Sequence, residues 1–295
     1  MKLCLGTVQF GMDYGIQGAK KASHNEIDRI LDYATGHGIA HLDCAAAYGE
    51  ANNVVGRYIR NSKYGREWFR IISKIPAGAF DKSDSADWSE IALQNARQEL
   101  ETIGVDKFEA YLFHNASLLY KEGAVSALYQ VKTEGLSNKI GVSVYSPDEA
   151  IKALSYKEIE VIQAPYNVFD HRLDKCDFFK KAGEKGVEIY ARSTLLQGLI
   201  MMHPNELPKK MRFAGRYISG FRELCKKAGF SPLEAAISYV MQRPGVNYIV
   251  FGVDNIDQLR DYISIAEHTM PPEFFSELNR EFEGVDEKLV NPTLW

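Results

Sequence analysis

Apolar residues fall along this chain in two alternating textures. Short runs rich in Ile, Val, Leu and Phe occupy residues 2–7, 39–43, 69–74, 108–114, 139–143, 160–163, 187–191 and 248–252. They lack strict in–out alternation, which is the texture of strands covered on both faces of a parallel sheet. Between them apolar residues recur at helical spacing. Ser23 with Glu26 three residues later reads as a capping box. Ile27, Ile30, Leu31 and Ala34 then form one apolar stripe, and His37-Gly38 ends it. Further helices are predicted over residues 50–60, 85–103, 122–133, 147–154, 175–185, 232–242 and 256–266, with a last one over 272–282. Eight strand-then-helix units without a compositional break predict a closed (β/α)8 TIM barrel, a single domain over residues 1–295. A doubly wound open sheet is the alternative. Such a sheet usually carries GxGxxG after its first strand when it binds a dinucleotide, whereas residues 5–11 read LGTVQFG, and no GxxxxGK[ST] follows any strand. The longest interruption, residues 201–220, separates the seventh strand from its helix.

Composition narrows the partners. With 45% hydrophobic and 25% charged residues the chain has the makeup of a globular protein. A net charge of −4 gives no general field for nucleic acid or anionic lipid. No run approaches 18 apolar residues, and residues 1–11 hold one Lys and no long apolar stretch, so neither a membrane span nor a signal peptide is expected. Cys4, Cys44, Cys176 and Cys225 form no CxxC and suit reduced, cytoplasmic thiols. His37 and His41 straddle a glycine turn, so no metal site is expected from them or from any other His/Cys grouping. A monomer is the default expectation.

The chemistry of a barrel sits at the C-terminal ends of its strands. There the sequence puts Asp43 and, in the following loop of small residues, Tyr48; then Lys74, His114, Ser143 and Gln163 from the next four strands. A free phenol with a pKa near ~10 is a poor acid at neutral pH. An ammonium at Lys74, held by Asp43, would lower it and make Tyr48 a tuned proton donor. A neutral imidazole at His114 could orient a carbonyl oxygen beside it.

These residues carry a resemblance that runs nearly the whole length. LGTVQFG at residues 5–11, LDCAAAYG at 42–49, Lys74 in ISKIP, His114 in YLFHN, GVS at 141–143, Gln163 in IQAPYN and FGVDNIDQL at 251–259 together resemble the aldo-keto reductase superfamily. The resemblance implies hydride transfer from a nicotinamide cofactor to an aldehyde or ketone, with Tyr48 as general acid supported by Lys74 and Asp43, and His114 orienting the substrate. It implies that Gly6, Thr7, Ser143, Gln163, Arg192, Gly252, Asp254 and Gln258 contact the cofactor, NADP(H) rather than NAD(H). The chain departs from the commonest pattern at four places. Val144 stands where many members have Asn. Arg192 stands where an aromatic usually stacks on the nicotinamide. Gly252, Val253 and Asp254 stand where basic residues often meet a 2′-phosphate, with Arg260 the nearest cation. Strand one starts without the usual N-terminal hairpin, so Met1 and the final helix are expected to cover the barrel floor. Lys209, Lys210, Arg212 and Arg216 lie in the loop that folds over the pyrophosphate in the family. Tyr14, Trp88, Tyr145, Tyr166 and Phe169 are rim aromatics that either line the pocket or pack. Short loops after strand four and at the chain end imply an open pocket, suited to a bulky substrate such as a sugar-derived carbonyl. Two other readings use the same residues: a non-catalytic NAD(P)-binding regulatory or structural subunit on the same barrel, and a Schiff-base aldolase with Lys74 as nucleophile.

Overall fold

A computed structural model describes residues 2–295. Eight parallel strands close on themselves in chain order: β1 Leu3–Gly6, β2 His41–Asp43, β3 Arg70–Ile75, β4 Phe108–Phe113, β5 Ser137–Ser143, β6 Val161–Pro165, β7 Glu188–Arg192 and β8 Tyr248–Phe251. The helices are α1 Val8–Gly11, α2 His24–Gly36, α3 Ala51–Asn61, α4 Trp88–Ile103, α5 Ala124–Thr133, α6 Pro147–Ala153, α7 Phe178–Glu184, α8 Gly215–Ala228, α9 Pro232–Met241, α10 Ile256–Ile265, α11 Pro272–Glu281 and α12 Glu287–Val290. This is the (β/α)8 barrel that the alternating textures predict. The ring closes where β1 pairs with β8, Leu3 beside Ile249 and Leu5 beside Phe251.

The two apolar faces of each strand build two cores. The larger lies between sheet and helices. The smaller fills the barrel with Cys4, Ile72, Ala110, Leu112, Val161 and Tyr190. Space inside is tight at Gly141, where a Cβ would lie 2.0 Å from the Val161 carbonyl oxygen. Helix ends follow the local chemistry. The Ser23 hydroxyl accepts from the Glu26 N–H, and Ser146 and Ser231 make complete capping boxes with Glu149 and Glu234.

Three expectations shift. The helix over 175–185 begins only at Phe178, because Asp177 takes a left-handed φ of 54° that splits it from the short turn Asp174–Cys176. The long interruption after β7 contains α8, whose inward residues Ile218, Phe221 and Cys225 sit at helical spacing before a left-handed Gly229. The final helix does not cover the floor of the barrel. Met1 lies outside the described residues, and α11 packs on the flank instead, with Phe274 against Phe230 and Asn279 accepting from the Tyr239 hydroxyl of α9. The strands' own N-terminal residues fill the floor. His41 lies 4.2 Å from the Tyr248 ring, which stacks on Tyr190 at 4.6 Å. Lys139 bridges Glu109 at 3.0 Å and Glu188 at 2.8 Å. Burial there pushes His41 down to about 4. His37 instead bonds the Tyr33 carbonyl within α2 and its C-terminal turn.

Candidate active site

Four side chains meet at the mouth of the barrel. Strand β2 ends on Asp43, whose carbonyl accepts from both the backbone N–H and the hydroxyl of Thr7, at 3.0 and 2.9 Å. The chain then turns through Ala45–Ala47 to Tyr48. Two glycines allow this loop to lie against α1. A Cβ on Gly11 would stand 1.8 Å from the Tyr48 carbonyl oxygen, and Gly49 has φ +58° beside the Gly11 carbonyl. Lys74, on β3 and 1% exposed, donates to Asp43 Oδ1 at 2.7 Å, to the Cys44 carbonyl at 2.8 Å and to the Tyr48 hydroxyl at 3.2 Å. The Tyr48 hydroxyl lies 3.4 Å from Asp43 Oδ2. His114, the first residue after β4, meets the Tyr48 ring edge-on at a centroid distance of 6.0 Å. Behind Lys74, the neighbouring Ser73 donates to the buried carboxylate of Glu99, which also accepts from Tyr111 and Asn52. Strand β3 is thereby tied to α3, α4 and β4.

The electrostatics differ from the simple expectation in one respect. Burial pushes the Tyr48 phenol above its ordinary value; Lys74 pulls it down, but Asp43 opposes that pull. The hydroxyl therefore stays protonated at neutral pH instead of approaching phenolate. The Lys74 ammonium loses stability through burial, yet Asp43 and Tyr48 outweigh this and raise it above the ordinary lysine value. Burial first, and Lys74 second, push His114 down to about 4, so its imidazole is neutral.

A cavity of about 770 Å³ opens over this cluster. Its size falls in the range of cofactor sites. Asp43, Tyr48, His114, Ser143, Gln163 and Arg192 line it, and so do Gly6, Gly252, Asp254 and Gln258. Of the cofactor contacts expected there, Thr7 is the exception. It is fully buried and bonded to Asp43 and Cys44, where it fastens β1 to β2 behind the cavity wall. Gln163 donates to Asp43 Oδ1 at 2.7 Å, which fixes its amide. Arg192 lies flat on Tyr145 at 4.2 Å and donates to the Val144 carbonyl at 2.8 Å, while its buried Nε has no partner among the described residues. A guanidinium–phenol sandwich thus occupies the rim where Val144 and Arg192 depart from the common pattern. Tyr14 and Tyr145 line the cavity, whereas Trp88, Tyr166 and Phe169 are packed inside. Lys209, Lys210, Arg212 and Arg216 lie on a 3-10 segment and the start of α8, away from the cavity lining.

Some residues of the cavity wall and of the loop behind it left no signal in the chain. Ser193, Leu196 and Gln197 all have φ between 47° and 61°, a strained left-handed cluster in the loop after β7. Buried Asn167 donates to the Ser193 carbonyl at 3.2 Å and holds that loop. Gln9 reaches across the ring seam to Asp254 at 2.9 Å. A second cavity, of about 670 Å³, meets the first at His114 and Tyr145 and is walled by Ala46, Ala47, Asn115 and Glu149. Glycines at the seam, the polar pair Ser143 and Gln163 at the strand ends, and a guanidinium with an unpartnered N–H suit an elongated, polar, partly anionic cofactor. Among the described residues, no group of three or more His, Cys, Asp or Glu stands where it could hold a metal ion.

Comparison with known proteins agrees with this geometry. The profile of the Aldo/keto reductase family matches residues 2–281. An uncharacterized oxidoreductase of Bacillus subtilis (strain 168) is 24% identical, covering 96% of this chain and 92% of that one. The NADH-specific methylglyoxal reductase of Escherichia coli (strain K12) is 26% identical over 59% of this chain and 57% of its own. Pyridoxine 4-dehydrogenase of the same organism is 22% identical over 90% and 89%. Among solved structures, the thermostable aldo-keto reductase Tm1743, in complex with the inhibitor epalrestat, superposes with a TM-score of 0.71 over 95% of this chain and 94% of that one, at 21% identity.

Proposed function

Since the chain belongs to the Aldo/keto reductase family and is an NAD(P)H-dependent oxidoreductase, we propose that it reduces the carbonyl group of a bulky, polar substrate with Tyr48 as proton donor. One observation carries this reading. The Lys74 ammonium, sealed from solvent, bonds both the Asp43 carboxylate and the Tyr48 hydroxyl. That linkage has little structural purpose on a partly exposed phenol and a clear chemical one. When bound, a nicotinamide cofactor would supply the hydride that the carbonyl carbon accepts. Tyr48 gives its phenolic proton to the carbonyl oxygen, which completes the alcohol. The negative charge left on the tyrosine oxygen falls beside Lys74, whose charge Asp43 maintains. Neutral His114 donates a hydrogen bond to the same carbonyl oxygen and fixes the face presented. Ser143 and Gln163 would hold its carboxamide, the Gln163 amide being fixed on Asp43. Arg192, Gly6, Gly252, Asp254 and Gln258 would hold the rest of the dinucleotide.

The substrate class rests on room. The second cavity continues from His114 with polar walls at Asn115 and Ser146. The relatives' names point to different compounds, methylglyoxal and pyridoxine, so they do not choose among substrates. The test is cofactor absorbance over a panel of small apolar aldehydes and sugar-derived carbonyls, together with Tyr48→Phe. The variant is expected to keep cofactor affinity and lose ~10²–10⁴-fold in kcat. Binding of neither cofactor to the parent protein would sink the reading. A kcat near parent in the variant would remove Tyr48 from its role.

A further inference from the structure

The loops after strands seven and eight, with the N-terminus of the next helix, are where a (β/α)8 barrel takes phosphate. In this chain those positions carry carboxylates. Asp254, in the loop after β8, lines the cavity. Its carboxylate is fixed from two sides, by Gln9 at 2.9 Å and Gln258 at 3.4 Å, and its own N–H is taken by Gln258 Oε1 at 2.8 Å. Neither partner neutralises it. Glu206, from the loop after β7, lines the same cavity. Neither Asp254 nor Glu206 is in an ion pair among the described residues.

The helix end is occupied as well. The Ile256 N–H, at the first turn of α10, donates to Glu26 Oε1 at 2.8 Å, and the Gln258 N–H donates to Asn255 Oδ1 at 3.0 Å. Glu26 comes from α2, across the ring seam. The chain's own carboxylate therefore stands where an incoming phosphate would find free N–H groups and the positive end of a helix. The nearby cations are committed. Arg29 is paired with Glu26 at 2.6 Å, and Arg260 with Asp257 at 2.9 Å while lying over the Tyr33 ring. Among the described residues, Arg192 is the only lysine or arginine lining the cavity, and it is held on Tyr145 at the end of β7.

We propose that Asp254 and Glu26 make this site select NAD(H) against NADP(H), the reverse of the preference that the family resemblance suggests. The inference rests on the dinucleotide reading of the cavity given above. A carboxylate at Asp254 accepts a hydrogen bond from a ribose 2′-hydroxyl. A 2′-phosphate has no proton of that kind to give, carries nearly two negative charges, and finds no free guanidinium. The unneutralised Asp254 charge disfavours such a ligand, and Glu26, whose charge Arg29 matches, occupies a helix-end N–H that a phosphate would use.

Calorimetric titration of the full chain with NADH and with NADPH reads this directly, without turnover. NADH is expected to bind at least about tenfold more tightly, ~1.4 kcal/mol. Raising the salt concentration should narrow the ratio by screening the repulsion of NADPH. Asp254→Asn keeps the side-chain shape and should narrow it further, as should Glu26→Gln; circular dichroism checks that both variants fold. NADPH binding as tightly as NADH, or a ratio unmoved in both folded variants, overturns the proposal and leaves the reductase reading standing. Binding of neither nucleotide overturns both.

Discussion

At the scale of single residues, the candidate site was legible because three of its members close successive strands. Asp43, Lys74 and His114 each stand at or just past the end of a strand, and strand ends can be read from apolar runs. Their protonation was not legible, because it depends on burial. Lys74 alone suggests an acidified tyrosine; the dry surroundings and the Asp43 charge reverse that and raise Tyr48. The bond from Gln163 to Asp43 spans 120 positions and has no trace in local spacing. His114 gives a measurable consequence. Its folded value of about 4 lies below the ordinary 6.5, so the neutral form is favoured in the folded protein. The stability this contributes is complete above pH 6.5 and is lost as pH falls through about 4. Urea midpoints at pH 7 and at pH 4.5 should therefore drop further for the parent than for His114→Gln. Equal drops would mean that this imidazole is not the group resisting protonation.

At the scale of elements, boundaries moved where backbone geometry outweighed apolar pattern. Asp177 splits a predicted helix by one left-handed residue, and α8 carries a weak sequence signal because its stripe of Ile218, Phe221 and Cys225 is interleaved with charged residues and two glycines. The loop carrying Tyr48 is positioned by α1, a single helical turn, through Gly11. A side chain there has no space beside the Tyr48 carbonyl or the Ala51 N–H. Gly11→Ala is expected to cost roughly 1–3 kcal/mol of stability and to lower kcat by displacing Tyr48, with nucleotide affinity largely retained. Denaturant titration, steady-state kinetics and calorimetry separate the three quantities. Unchanged kcat in a folded, destabilised variant would show that the loop re-forms without this contact.

At the scale of the whole molecule, eight repeated units announced the barrel, while its floor was hidden because it is assembled from single residues scattered over five strands. Lys139 between Glu109 and Glu188, with the ring of His41 against the stacked pair Tyr248 and Tyr190, fills the base among the described residues. The ring is sealed by contacts between the chain's two ends. Glu26 bonds Ile256 across 230 positions and Gln9 bonds Asp254 across 245. During synthesis these partners cannot meet until the final strand has left the ribosome. Contacts of such sequence separation are also slow to form in refolding. On the proposed reading nucleotide binding uses that seam, so it should be acquired last. In refolding from urea, far-UV circular dichroism is expected to recover before the fluorescence of bound NADH, and a chain ending before residue 248 should never acquire it. If the proposed placement holds, the same dependence gives a cell a simple criterion of completeness: a barrel interrupted before its last strand would hold no cofactor and do no chemistry.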